Sequence, residues 1–230
     1  MIQSEIQITT PQLSELKFLR PLVTTALETV DQTYIQNTKI PCWLLPSSGK
    51  EIAITPLYYH SAFEAYANHT VSYTPSAEIQ VPRGKNKGRL DLALTGKKHI
   101  ELIELKASRV SLLSKNSTII NKIKQKKAAA KAQFKSMDRK KMEASTKLDI
   151  RDSVIVTTYL LAPEDIAFDA DKVTKRISEI MNQIKNSCLF TLRASLRYSA
   201  PHQINLDSSK NKGEYAVGMI VVACRTDAFK

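Results

Sequence analysis

Two short runs, "RLDLAL" over 89–94 and "KHIELIELKA" over 98–107, alternate as strands do, yet both put charge among their apolar residues. Side chains of a strand alternate between faces, so Glu104 and Lys106 share the parity of Ile100 and Leu102, the side meant for the core. If the runs pair as an antiparallel hairpin through Thr95-Gly96, Asp91, Glu104 and Lys106 converge at one end of the sheet. Converging carboxylates raise each other's pKa unless a cation lies between them. Oxygen-only ligands suit a hard divalent ion, and Mg²⁺ typically takes one or two carboxylates, keeps waters and binds phosphate oxygens. Such an ion polarises a phosphoryl oxygen and acidifies a bound water. Lys106, one pleat away, is placed to orient that water or to hold charge developing on phosphate oxygens.

The elements that must position these groups follow from periodicity and turn signals. The first third reads helical. Thr10-Pro11 is a helix start with Leu13, Leu16 and Leu19 at helical spacing, and Pro21 opens a second stripe of Leu22, Val23, Ala26, Leu27, Val30 and Tyr34. An irregular stretch with a short strand at 51–54 precedes a helix over about 56–69. Strands are expected at "AEIQVP", "RLDLAL" and "KHIELIELKA", then a long helix over 117–143. "SVIVTTYLLAP" is almost wholly apolar, as a strand covered on both faces should be. A helix over 171–186, the alternating "LFTLRASLRY" and the strand "YAVGMIVVAC" complete the chain. The order fits one α/β domain with a mixed central sheet flanked by helices.

Composition narrows the partners. The 230 residues suffice for one buried domain, and the net charge is +12. Between Lys115 and Lys147, eleven Lys or Arg stand against Asp138 and Glu143. That patch points to a polyanion, nucleic acid first and an anionic membrane second; a solvated lysine-rich helix face is the plainer alternative. No signal-peptide pattern and no apolar run of about 18 residues occurs, which leads us to expect a cytoplasmic protein without a spanning helix. Cys42, Cys188 and Cys224 are widely separated and read as reduced, buried thiols. His60, His69, His99 and His202 form no zinc pattern. Ser108 and Ser111 lack a partnering His and acid, and Gly84, Lys87 and Gly88 lack P-loop spacing.

With Asp91 followed by Glu104-Leu105-Lys106, the sequence resembles the PD-(D/E)XK nuclease superfamily, whose fold is restriction-endonuclease-like. Asp91 stands where the family has its lone acid, and Glu104 to Lys106 match its ExK; Leu90 replaces the usual preceding proline. The resemblance spans about residues 56–161, with 1–55 as helical elaboration and 162–230 completing the sheet. It implies a Mg²⁺-dependent nuclease, with Mn²⁺ as substitute, in which Asp91, Glu104 and the Leu105 carbonyl hold the metal. Glu64 in "SAFEAYANH" is the candidate for the family's helical glutamate, directly or through water, or else an ordinary exposed residue. Gln133 is the candidate for its helical glutamine, with Gln125 as rival. Lys85, Lys87 and Arg89 in the basic loop, and Lys124, Lys127 and Lys131 on the basic helix, are candidates for binding phosphate. Arg193 and Arg197 share one face of a late strand and either meet phosphates or sit on a solvated edge strand. With no obvious run of exposed aromatics, duplex DNA is the expected substrate over unpaired strands. A homodimer, a partner subunit, a catalytically inactive binding module and an RNA-directed nuclease are the competing readings.

Overall fold

The strand "SVIVTTYLLAP" is buried from both sides, and the rest of the chain is arranged around it. In the computed structural model, which describes residues 5–9, 19–35, 51–67, 72–83, 86–187, 192–203 and 214–226, it forms β5 (Asp149–Pro163). Val154, Val156 and Leu160 face one apolar cluster, while Ile155, Tyr159 and Leu161 face another. Around β5 lie β1 (Glu5–Thr9), β2 (Thr74–Arg83), β3 (Asn86–Thr95), β4 (His99–Ser111), β6 (Leu192–Gln203) and β7 (Glu214–Arg225). They form one seven-stranded mixed sheet in the order β1-β6-β7-β5-β4-β3-β2. β4 and β5 run parallel and the other neighbours antiparallel. Parallel neighbours need a long crossover, supplied here by α3 (Asn116–Lys135) and α4 (Arg139–Thr146).

One face is covered by α1 (Leu19–Thr29), which continues into a π-helical stretch over Val30–Ile35, and by α2 (Glu51–Ala67). There the buried Tyr58 hydroxyl meets Thr157 Oγ1 at 2.9 Å, which satisfies a polar tip inside an apolar layer. The other face is covered by α3, by the short α5 (Glu164–Ala167) and by α6 (Ala170–Asn186), whose Val173, Ile177, Ile180 and Ile184 form a single buried stripe. Among the described residues, no helix is long and apolar enough to cross a membrane.

Three expectations are corrected. Residues 51–54 are not a strand: α2 begins at Glu51, and Ile54, Leu57, Tyr58, Ser61, Ala62 and Ala65 make a helical buried row around an exposed Pro56. The helix expected over 117–143 is two helices, broken where Asp138 caps α4 by accepting from Lys141 N at 3.2 Å and donates its own N–H to Pro82 O at 2.8 Å. The first third is not wholly helical, because β1 pairs with β6 from Glu5↔Arg197 to Thr9↔Arg193. Cys224 is a buried free thiol, as expected. The helix start at Thr10-Pro11 with Leu13 and Leu16, and also Cys42, His69, Gly84, Lys85, Cys188, Phe190 and Thr191, lie outside the described residues.

β7 needs a glycine where it crosses β6. A Cβ on Gly218 would lie 2.5 Å from the Leu196 carbonyl oxygen, a backbone atom that cannot swing aside. Gly218→Ala is therefore expected to cost about 1–3 kcal/mol by overpacking. Thermal melts should show Tm falling by about 2–4 °C per kcal/mol, the scale for a chain of this size.

Candidate active site

β3 and β4 travel together from Thr95↔Ile100 to Leu92↔Ile103, and there the ladder stops. Further along β4, the Leu105 N–H donates to a side chain instead, Asp91 Oδ2 at 2.8 Å. Across β3 from Asp91, between the pairs Ala77↔Leu92 and Ile79↔Leu90, stands Glu78 with φ of 52°. Left-handed backbone costs a non-glycine residue about 1–2 kcal/mol, and it marks a sharp turn in the β2–β3 hairpin. Side-chain alternation shifts at the same place. Leu92 and Leu94 pack against α1 and α2, while Leu90 joins Leu102 and Phe134 on the opposite side. The hairpin thus peels away from β4 and leaves a fork with Asp91 at its apex.

Into this fork β4 presents the charges that the sequence placed on its apolar parity. Glu104 and Lys106 follow Leu102 on the face covered by α3, at 0% and 5% exposure. Neither carboxylate oxygen of Glu104 meets a hydrogen-bond donor among the described residues. Burial first, then carboxyl–carboxyl approach to Asp91 and its charge, push the Glu104 pKa up to about 8, while Lys106 and Arg83 pull the other way. Unsatisfied buried carboxylate oxygens are costly, and Glu104 keeps acceptor capacity that the described residues do not use.

Arg83 is a member of this group that periodicity and motif do not point to. It lies at the end of β2, and its side chain crosses directly over Gly88, where a Cβ would fall 2.0 Å from its Nε. Its Nη2 donates to Arg89 O at 3.1 Å. A signal does exist in the sequence, since a glycine set diagonally across a tight hairpin from an arginine leaves room for the long side chain to cross the strand.

The remaining predicted residues divide. Gln133 is half-buried on α3 next to Phe134, on the sheet face that carries Glu104. The Leu105 N–H faces Asp91, and because the N–H and C=O of one strand residue project to the same edge, the Leu105 carbonyl lies on that side of β4 as well. Glu64 is not brought to the pair. α2 packs on the opposite face of the sheet, and Glu64 is partly exposed and pairs with His60 at 3.2 Å. Lys87 is exposed on β3, and Arg89 is exposed and pairs with Glu78 at 3.5 Å. Arg193 is 5% exposed, and Arg197 is half-buried with Nη1 on the Tyr198 carbonyl. Because β1 pairs with β6, these two arginines do not lie on an edge strand, and both β7 and β5 stand between β6 and β4.

The basic helix also needs correction. Lys127 falls on the buried stripe of Ile123, Ala130 and Phe134 and turns inward beside Cys224 of β7. Lys124 is exposed and Lys131 half-buried on the flank of that same stripe. The row that reaches the open edge of β4 is a different one: Lys122 Nζ bonds the Arg109 carbonyl at 2.6 Å. Helical spacing puts Lys126 and Gln133 in line with Lys122.

Among the described residues, no group of three or more His, Cys, Asp or Glu is placed to hold a metal ion. What is assembled is a carboxylate pair flanked by a lysine and an arginine, which suits a hard ion completed by water and phosphate oxygens and not a closed protein cage. No family model, curated protein or solved structure matches this chain.

The buried pair makes a pH prediction. A carboxyl whose pKa rises from 4.5 to about 8 on folding binds more protons in the native than in the unfolded state across that window. Stability contributed through Glu104 is therefore present at low pH and lost as pH rises from about 4.5 to 8. Urea melts in EDTA at about pH 5 and pH 8 should show a smaller drop for Glu104→Gln than for the unmodified chain. At the alkaline end the variant should be the more stable of the two. Glu101 and Asp152, each raised to about 7 by burial, contribute a slope of the same sign that the substitution leaves in place.

Proposed function

We propose that the chain is a metal-dependent nuclease of the PD-(D/E)XK type that hydrolyses phosphodiester bonds, most readily in DNA. The observation that carries this reading is the fork at Asp91, where a carboxylate pair and Lys106 meet on a buried sheet face beneath a lysine-rich helix. A catalytically inactive binding module has no physical use for two carboxylates and an ammonium among apolar neighbours, because each is expensive to bury.

Asp91 and Glu104 are the residues that would hold Mg²⁺, and the ion would supply Lewis-acid polarisation of a phosphate oxygen and an acidified water. The chain's own residues do the rest. The Leu105 N–H fixes one oxygen of Asp91 and so orients the other. Glu104, largely neutral near pH 7 while unsatisfied, ionises when positive charge enters the site. Lys106 favours that ionised form and holds a cation where negative charge grows on the phosphorus oxygens. Lys122 and Lys126 line the approach along β4, where they neutralise backbone phosphates.

A second substrate reading has its own support. The expectation of no exposed aromatic row is corrected by α2, where Tyr59, Phe63 and Tyr66 repeat at helical spacing and stand 38%, 54% and 41% exposed. Such rings can stack unpaired bases, which supports a reading with single-stranded substrates as well as duplex.

Purified protein incubated with duplex and single-stranded DNA and RNA, with Mg²⁺ or EDTA, tests the reading. Metal-dependent cleavage is expected, and its absence on every substrate would leave a binding module. Asp91→Asn keeps an oxygen for the Leu105 N–H, so it should fold, lose cleavage and lose the rise in Tm that Mg²⁺ gives the unmodified chain. Lys106→Ala should keep that rise while turnover falls by about 10²-fold.

The helix assignment is checked by salt dependence. Lys122→Ala with Lys126→Ala should flatten the log–log salt slope of DNA binding by about 0.9 for each phosphate that is no longer neutralised. Lys127→Ala should leave the slope unchanged, since that ammonium lies over β7.

A further inference from the structure

A second polar cavity, of about 760 Å³, opens where β5 begins and β7 ends, under the junction of α3 and α4. Its volume is in the range of small-molecule sites. Asp152 projects into it from β5 at 3% exposure. Oδ2 faces Arg139 Nη1 at 3.4 Å, while Oδ1 is buried with no hydrogen-bond partner among the described residues. Thr226 lines the same cavity at 8% exposure, and its Oγ1 is likewise buried and unpartnered there. Arg225, at the end of β7, lines the edge of the cavity while its Nη2 pairs with Glu101 Oε2 at 3.6 Å. A buried acceptor and a hydroxyl, both unsatisfied and lining one space, describe the complement of a ligand's polar edge.

The chemistry of that ligand can be read from the walls. Ionised above its raised pKa of about 7, the carboxylate at the bottom repels an anion there and asks for an N–H donor. Arg139 does not compete for Oδ1, because its other nitrogens are held by Glu143 and the Ile150 carbonyl. The mouth differs: Lys140 is exposed, and Arg151, held at its Nε by Asp149, keeps the rest of its planar guanidinium at the rim. Met137 and Ile150 add apolar wall. A donor-bearing planar group inside and an anion outside is the layout of a nucleotide. Guanidinium planes also serve as stacking surfaces for bases.

The cavity neighbours the fork. Asp152 is in register with Leu102, two residues before Glu104 on β4 and on the same sheet face. We propose that this cavity holds one unpaired nucleotide, with the amino edge of an adenine, cytosine or guanine on Asp152 and Thr226 and its phosphate at Lys140 and Arg151. The inference rests on nucleic acid being the substrate and adds a base-reading pocket to the cleavage site. Uracil and thymine fit poorly, because their single ring N–H is flanked by carbonyl oxygens that would face the carboxylate.

The test is calorimetric titration of the full chain in EDTA, where no cleavage occurs, with the four deoxynucleoside monophosphates. dAMP, dCMP or dGMP is expected to bind at least about tenfold more tightly than dTMP, on the scale of one base-edge contact. Thr226→Val and Asp152→Asn should each erase that preference. Lys140→Ala, an exposed change that spares the interior, should weaken nucleotides but not the matching nucleosides. Asp91→Asn should leave all of this intact while removing cleavage. Absence of nucleotide binding, equal binding of all four, or affinities unmoved by the three cavity variants would overturn the pocket. Cleavage without nucleotide binding sinks the pocket alone, and nucleotide binding without cleavage sinks the nuclease reading alone.

Discussion

A single hydrogen bond, Leu105 N–H to Asp91 Oδ2, holds the candidate site in place. In a continuous ladder that amide would bond to backbone, and β3 would follow β4 along its whole length. Because a carboxylate takes the amide instead, the hairpin of β2 and β3 is free to leave the sheet plane without abandoning this donor. The left-handed Glu78 absorbs the change of direction, and Gly88 lets Arg83 cross toward the pair. Backbone strain, an open strand edge and clustered carboxyls all stem from one exchange of acceptor.

The fork also reconciles burial with charge. Glu104 sits at the centre of a sheet, where ionisation is disfavoured by the lack of water, and Asp91 compounds the penalty. The site is therefore least comfortable when empty at alkaline pH and most relieved when positive charge is supplied. A buried acid with a raised pKa costs stability at alkaline pH, a trade common where a side chain is kept for chemistry and not for packing.

Much of this was legible from residue order. The parity of Glu104 and Lys106 against Ile100 and Leu102 located the charged face, and the unbroken apolar run at 153–163 identified the doubly covered strand. Lys127 was also legible, since it falls at i+4 from Ile123 and i−3 from Ala130 on the buried stripe, but its charge masked its position. Glu64 was not, because nothing in a helix's own sequence says which face of a distant sheet it will cover. Pro56 hid the start of α2 by resembling a first-turn proline while lying in the second turn. β1 escaped because five alternating residues carry too little periodicity to outweigh the leucine pattern after them. Arg83 required knowing that the two ends of a hairpin touch.

The pairing of β1 with β6 sets an order of events during synthesis. Glu5 must find Arg197, so the strand translated early has no partner until most of the chain has left the ribosome. In that interval the far margin of the sheet ends at β6, whose unpaired backbone could recruit a neighbouring nascent chain. Arg193 and Arg197 lie along that margin, and in two such chains meeting edge to edge their charges would repel. The same two arginines that the finished sheet holds between β1 and β7 would thus oppose edge-to-edge pairing of half-made chains.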